Sequence, residues 1–245
     1  MAHTKLTIDG EDKPSVTQIV NVLDKPYLYR WYGMNGWTAC EKLKEEKREQ
    51  GIAFHESVEA ALKFKFGFTK EEPNWDEAVE VVMRWADRVG FKPIAFEEHV
   101  VSEVDGYNGT FDCAGMIGDD LILVDWKRTS QISDTYVIQM AGYYRAYLLQ
   151  AGKAFKEARV IRPYELKNPA KKDEVKQTAG GWKYSFAGMK FFVEERRYTN
   201  LDRYMKIFLH CREIWDFVNK KGPWKQDDSV LQLDRRREDV PAPGV

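Results

Sequence analysis

Apolar residues in the first third of this 245-residue chain recur at three- and four-residue intervals, and from Pro93 onward they alternate. The first pattern predicts helices and the second strands, so the opening 90 residues or so are expected to be mostly helical. Ser15-Val16-Thr17-Gln18 has the Ser-x-x-Gln form of a capping box and opens a short helix that stops before Pro26. Thr38-Ala39-Cys40-Glu41 repeats the device and starts a polar helix, interrupted near Gly51. Ile52 to Phe66 carries Phe54, Val58, Ala61, Leu62 and Lys65 as a helical stripe closed by Gly67. Asn74-Trp75-Asp76-Glu77 caps a further helix, which Gly90 ends.

Beyond Pro93 the pattern predicts strands near 94–103, 107–117 and 121–127, a helix from about Asp134 to Leu149, and a strand near 157–164. Asn168 to Trp182 reads as an exposed excursion, and Lys183 to Tyr198 as one or two strands. Asn200 caps a final helix running to Gly222-Pro223. The fold class expected is α/β (α+β), a central mixed sheet flanked by helices behind a helical N-terminal region. No linker divides the chain, so 1–245 is read as one domain. Its parts are a helical region (1–92), a sheet with one helix (93–165), a hairpin and helix (166–224) and a loosely held tail (225–245).

Composition narrows the class. With 43% hydrophobic and 13% aromatic residues, a packed core is expected and global disorder is excluded. The apolar runs are short of a membrane span, and residues 1 to 20 lack the apolar core of a signal peptide. Cys40, Cys113 and Cys211 are widely spaced, which fits buried thiols in a reducing cytoplasm and gives no four-cysteine zinc or iron–sulfur site. The net charge is -1, yet residues 153 to 198 hold twelve Lys/Arg against six acids. That segment suits either phosphate contact, with Lys171, Lys172 and Lys176 as candidates, or a solvated hairpin.

The chemistry concentrates in Gly109-Thr110-Phe111-Asp112 and in Leu121-Ile122-Leu123-Val124-Asp125-Trp126-Lys127. With a two-residue turn at Asp119-Asp120, Gly118 pairs with Leu121 and Asp112 lies opposite Lys127. Asp112, Asp125 and Lys127 then share one face, with Trp126 on the reverse. A three-residue turn would send Asp112 to the side of Trp126, so register decides whether a site exists. Two carboxylates on neighbouring strands suit Mg²⁺ or Mn²⁺, to which the Trp126 backbone carbonyl adds a further oxygen. Such a cation lowers the pKa of bound water and polarises a phosphodiester, while Lys127 holds the water or the phosphate. A hairpin-end salt bridge is the competing reading.

Other residues are open to two readings. Gln139 and Tyr143, four apart on one helix face beside Tyr136 and Tyr147, could grip a phosphate or simply pack on the sheet. His55 could be a metal ligand or a structural histidine. Of Glu97 and Glu98, alternation allows one to face the site. Trp31, Trp37, Tyr27 and Tyr32 could stack on bases or fill a helix–helix core.

These pieces in this order resemble the PD-(D/E)XK nuclease superfamily, specifically its RecB-like exonuclease branch, which includes the CRISPR-associated RecB-like nucleases and the mitochondrial genome maintenance exonuclease. The likeness covers about residues 14 to 150. It rests on His55 within Gly51-Ile52-Ala53-Phe54-His55, an acid at Glu97 (or Glu98), Gly109 to Asp112, Asp125 to Lys127 and Gln139 to Tyr143, after the opening Ser15 to Ile19. It implies a restriction-endonuclease-like core, with metal held by His55, Asp112, Asp125 and the Trp126 carbonyl, and Glu97 as a further candidate. Lys127 is implied to be catalytic, and Gln139 and Tyr143 to complete the motif beside DNA, where Arg128 and Thr129 are binding candidates.

The chain departs from the branch in three ways. Asp125 stands where many relatives carry Glu, Arg128 displaces the usual threonine to Thr129, and the iron–sulfur cysteines are absent. The function implied is a Mg²⁺- or Mn²⁺-dependent DNA exonuclease in processing, recombination or repair. It would act in the cytoplasm on free ends or single strands, beside recombination or replication proteins, as compact phage-encoded members do. An endonuclease or RNA-active nuclease of the same fold, a hydrolase of small phosphate esters, and a non-catalytic DNA-end-binding protein are the rivals.

Overall fold

The computed structural model describes residues 6–8, 11–23 and 25–219, with side chains from Asp12 onward except Pro26 and Tyr27. The tail at 225–245 and the Tyr27 side chain lie outside the described residues. A small hairpin of β1 (Leu6–Ile8) and β2 (Glu11–Lys13) precedes helices α1 (Val16–Val20), α2 (Pro26–Asn35), α3 (Trp37–Lys65) and α4 (Glu77–Val89). Strands β3 (Phe91–Ser102), β4 (Tyr107–Ile117) and β5 (Asp120–Trp126) lead into α5 (Thr135–Ala151) and β6 (Glu157–Glu165). Then come β7 (Glu174–Thr178), β8 (Gly181–Ser185), β9 (Phe191–Tyr198) and α6 (Leu201–Asn219).

The seven strands from β3 to β9 form one mixed sheet in the order β3-β4-β5-β6-β9-β8-β7. Only β5 and β6 pair in parallel; such a pair needs a long crossover, and α5 supplies it. Helices α3 and α4 bury Phe54, Val58, Leu62, Val82 and Trp85 against one face, where Trp126 also packs. Helices α1, α5 and α6 cover the other with Val16, Ile19, Met140, Tyr143 and Phe208. The expected mixed sheet between helices, behind a helical N-terminal region, is thus the architecture adopted. Cys40, Cys113 and Cys211 are buried free thiols, as composition predicts. No helix of the described residues is long and apolar enough to cross a membrane.

Local signals succeed where a single side chain decides. Ser15 and Gln18 form the reciprocal capping box. Asp76 caps α4 by accepting from Val79 N–H at 3.0 Å, and Gly90 closes it in the left-handed region. Asn200 accepts from Arg203 N–H at the start of α6.

Four expectations are corrected. Helix α3 runs unbroken through Gly51, because one glycine costs a long helix only about 1 kcal/mol. It starts at Trp37 behind Gly36 with no side-chain cap, since Glu41 bonds Tyr32 instead of the Thr38 backbone. Within the expected excursion, Glu174–Thr178 is strand β7, entirely exposed at the sheet edge and therefore without an apolar signature. The turn between β4 and β5 is Gly118-Asp119, not Asp119-Asp120. Ile117 pairs with Asp120, and Gly118 takes φ 60°, a left-handed conformation suited to glycine in a tight hairpin.

Candidate functional site

The shifted turn moves every pair by two positions and so preserves parity. Cys113 pairs with Val124 and Ala114 with Leu123, so the next rung sets Asp112 against Asp125 rather than against Lys127. The face is the expected one: Leu123, Asp125 and Lys127 look toward α5, and Trp126 packs on the α4 side beside Trp85. At that rung the ladder gives way to side-chain bonding. Trp126 N–H donates to Asp112 Oδ2 at 2.9 Å, and Lys127 Nζ donates to Asp125 Oδ1 at 2.7 Å. The peptide of Trp126 therefore meets the site through its N–H.

Alternation in β3 and β4 breaks at the same level. Phe111 and Ala114, three apart, both join the cluster under α5. Across from Asp112, Glu97 adopts φ 45°, a rare conformation for a non-glycine residue and one that concentrates at functional sites. The break turns Glu97 toward Asp112, while Glu98 pairs with Phe111 and lies beside Tyr147. His55, from the middle of α3, brings Nδ1 to 3.3 Å from Asp112 Oδ2. Ligand atoms of His55, Glu97 and Asp112 lie within 4.8 Å of one another, a spacing that one cation can bridge. Asp125 stands outside that trio, tied to Lys127, and its buried Oδ2 has no hydrogen-bond partner among the described residues. Such an atom is costly unless something positive completes it.

Burial and crowding set the protonation states. Burial, reinforced by Asp112 and Glu59, pushes the Glu97 carboxyl up to about 7. Burial also raises Asp125, to about 6, because Asp112 adds to it and Lys127 offsets only part. For Asp112 burial is outweighed by His55, Lys127 and the Trp126 N–H, so it stays below the ordinary carboxylate value. Burial pulls against a charged His55 and a charged Lys127, but Asp112 lifts the first and Asp125 the second above their usual values. Three carboxyl groups thus crowd one ammonium and one imidazole, and the raised Glu97 and Asp125 reflect the cost of holding all three negative charges at once.

Gln139 and Tyr143 sit against this cluster. Gln139 Nε2 donates to Tyr143 Oη at 2.9 Å and to Thr17 Oγ1 at 3.3 Å, which ties α1 to α5. Burial, with Asp112 and Asp125 nearby, pushes Tyr143 up to about 12, so its hydroxyl stays a donor. Gly109 permits the approach: a Cβ there would lie 2.6 Å from the Tyr143 ring. The motif glycine is therefore explained by packing.

A cavity of about 540 Å³ opens over the cluster, lined by His55, Glu97, Asp112 and Lys127 together with Lys47, Arg48, Arg128 and Thr129. Arg128 also pairs with Asp76 at 3.3 Å and lies over Phe54. The Thr129 carbonyl accepts from Arg162 at 3.0 Å, which pins the loop after Lys127. Lys47 and Arg48 were not singled out from sequence. Their signal was available, since Arg48, Ile52, His55 and Glu59 recur at helical spacing, but only if the helix is carried through Gly51. Lys171, Lys172 and Lys176 lie toward the far edge of the sheet and do not line this cavity. Trp31, Tyr32 and Trp37 pack on one another, Tyr32 stacked on Trp37 at 4.8 Å, with Trp37 largely exposed.

No protein-family model matches the chain, and no curated protein matches it significantly. Among solved structures, that of SSO0001 aligns with 98% of this chain and 90% of its own at 11% identity and a TM-score of 0.43. An alkaline exonuclease (LHK-Exo) from Laribacter hongkongensis aligns with 94% of this chain and 95% of its own, at 11% identity and a TM-score of 0.34. LHK-Exo in complex with dAMP aligns with 90% and 94%, at 12% identity and a TM-score of 0.31. What the site can do is therefore argued from its own geometry.

Proposed function

We propose that this chain is a metal-dependent nuclease of the PD-(D/E)XK type, RecB-like branch, hydrolysing DNA phosphodiesters as an exonuclease. The observation that carries the reading is the unbalanced cluster. His55, Glu97 and Asp112 converge on one point, and the neighbouring Asp125 keeps a buried oxygen without a partner. Hard oxygen donors with one imidazole fit Mg²⁺ or Mn²⁺. His55, Glu97 and Asp112 would hold the cation, with Asp125 Oδ2 and the Trp126 carbonyl as further candidate oxygens. When bound, the cation acidifies water, polarises the phosphoryl group and offsets developing charge.

The remaining work belongs to the chain. Lys127 stays an ammonium because two aspartates surround it, so it orients a phosphate oxygen or the attacking water by donating hydrogen bonds. Asp125 fixes that ammonium at 2.7 Å, and Tyr136 lies under it. Gln139 and Tyr143 hold each other beside the cluster and offer a phenolic donor to the strand. Lys47, Arg48 and Arg128 on the cavity wall, beside Glu56 and Glu59, offer cations to a phosphate backbone. DNA processing, repair or recombination is the setting such an activity serves.

End-labelled single-stranded, double-stranded and closed circular DNA, each with Mg²⁺, Mn²⁺ or EDTA, tests the reading. Degradation of the linear forms that stops in EDTA and in Asp125→Ala or Lys127→Ala is expected. Full activity in either variant, or in EDTA, would remove the site. Cleavage of the circle would make the enzyme an endonuclease.

A further inference from the structure

Lys127 begins a line of charge that crosses the sheet. The parallel ladder pairs Trp126 with Ile161, and Lys127 N–H extends it with a 2.9 Å bond to the Ile161 carbonyl, which sets Lys127 level with Arg162. Arg162 pairs with Glu194, Glu194 with Lys183, and Lys183 with Lys176. Directly opposed residues share a face. Strands β5, β6, β9, β8 and β7 therefore present one row of four cations and a single acid, on the side that Asp125 faces.

The inner part of this row is neutralised and the outer part is not. Arg162 is buried and bonded to Glu194 and to the Thr129 and Ser130 carbonyls. Lys183 and Lys176 have no carboxylate partner among the described residues, although they stand directly opposite each other. Like charges so placed repel, and an anion lying between them would relieve that repulsion. The face opens beyond α5: Tyr164 is 44% exposed, and all of β7 is exposed. Lys183 Nζ lies 3.6 Å from the Phe192 ring centre, so the side chain leans over β9 and its position is fixed by that ring.

We propose that this row is a backbone track for the DNA whose scissile bond lies at Lys127, with Lys183 and Lys176 contacting phosphates on the flank. The proposal rests on the nuclease reading of the site and adds where the rest of the strand runs. Four strand spacings separate Lys127 from Lys176, about 19 Å, or roughly five to six phosphates along a B-form strand at 3.4 Å per step and fewer along an extended one. Among the lysines of residues 153 to 198 without a carboxylate partner among the described residues, Lys183 and Lys176 are the two that stand on this row; Lys172 pairs with Glu174.

The test measures binding by the full chain in EDTA, over a range of salt. Lys176→Glu, a change on a wholly exposed strand, should weaken binding of a strand of about 20 nucleotides by roughly tenfold and lower the salt slope by about 0.7. A dinucleotide cannot reach from Lys127 to Lys176 even when extended, and should lose less than about twofold. Lys176→Gln, with a thermal melt, separates charge from any disturbance of the hairpin and should show about half the effect. An unchanged slope on the long strand, or equal loss at both lengths, overturns the track. If the unaltered chain degrades DNA with Mg²⁺ while the slope stays fixed, the track alone falls. If it neither binds nor degrades DNA, track and nuclease reading fall together.

Discussion

Two buried ionic clusters occupy this sheet, and they are built differently. On β6, β8 and β9, Glu195 accepts from Arg159 at 2.7 Å, from Tyr184 at 2.6 Å and from Arg197 at 2.9 Å, and Glu157 takes Arg159 at 2.8 Å. Two guanidiniums meet two carboxylates, and none of these side chains has a buried polar atom left unpaired. At the ends of β4 and β5, three carboxylates meet one ammonium and one imidazole, and Asp125 Oδ2 is left over. A satisfied, neutral network braces a fold. An unsatisfied one with excess negative charge raises the free energy of the folded chain and is a reason to expect a cation. Burial alone does not separate the two; the balance of donors and acceptors does.

Deleting one acid from each cluster separates the two most directly. Asp112→Asn should lower Mg²⁺-dependent DNA degradation by about 10²- to 10³-fold while the chain still melts cooperatively. Glu195→Ala should do the reverse, costing about 3–5 kcal/mol of stability by leaving Arg159 buried without its partner while activity follows the folded fraction. A denaturant titration beside an activity assay reads both. If Asp112→Asn unfolds the chain or Glu195→Ala does not destabilise it, the two clusters have been assigned the wrong way round.

A smaller effect is the response to metal. Mg²⁺ or Mn²⁺ at roughly a hundred times its Kd should add about 2.7 kcal/mol to stability, and Glu97→Gln should remove most of that gain. Equal stabilisation of both proteins would take Glu97 out of the ligand set. A further effect is on pH. In the folded chain Glu97 moves from 4.5 to about 7 and Asp125 from 3.8 to about 6, so between roughly pH 4 and 7 the folded state holds protons that the unfolded chain has released. Stability in EDTA should therefore fall as pH rises through that window. His55, raised by Asp112, acts in the same direction. Asp112 is depressed instead, and its contribution is lost only as pH falls below the ordinary carboxylate range. A melting temperature that rises from pH 5 to 7 without metal would contradict these environments.

Much of the site was legible because its residues lie on short, strongly patterned segments. Val124-Asp125-Trp126-Lys127 alternates so sharply that the two charged residues had to share a face whatever the turn, and Gly109 to Asp112 supplied the partner. Gln139 and Tyr143 followed from helical spacing. Less legible were Lys47 and Arg48, hidden by a helix boundary placed at Gly51, and the choice between Glu97 and Glu98. Strict alternation cannot choose there, because the backbone of Glu97 departs from it.

Local spacing along the chain sets the order of elements, the helix caps at Ser15, Asp76 and Asn200, and the face that Asp125 and Lys127 occupy. These depend on neighbours within a few residues, where spacing is fixed by covalent geometry. Long-range packing is what brings Asp112 to Asp125, carries His55 from α3 into a trio with Glu97, and sets Lys176 in line with Lys127 across five strands. Each of those depends on a register or a helix docking between segments far apart in sequence, where many pairings satisfy the same pattern and packing of the whole core selects one.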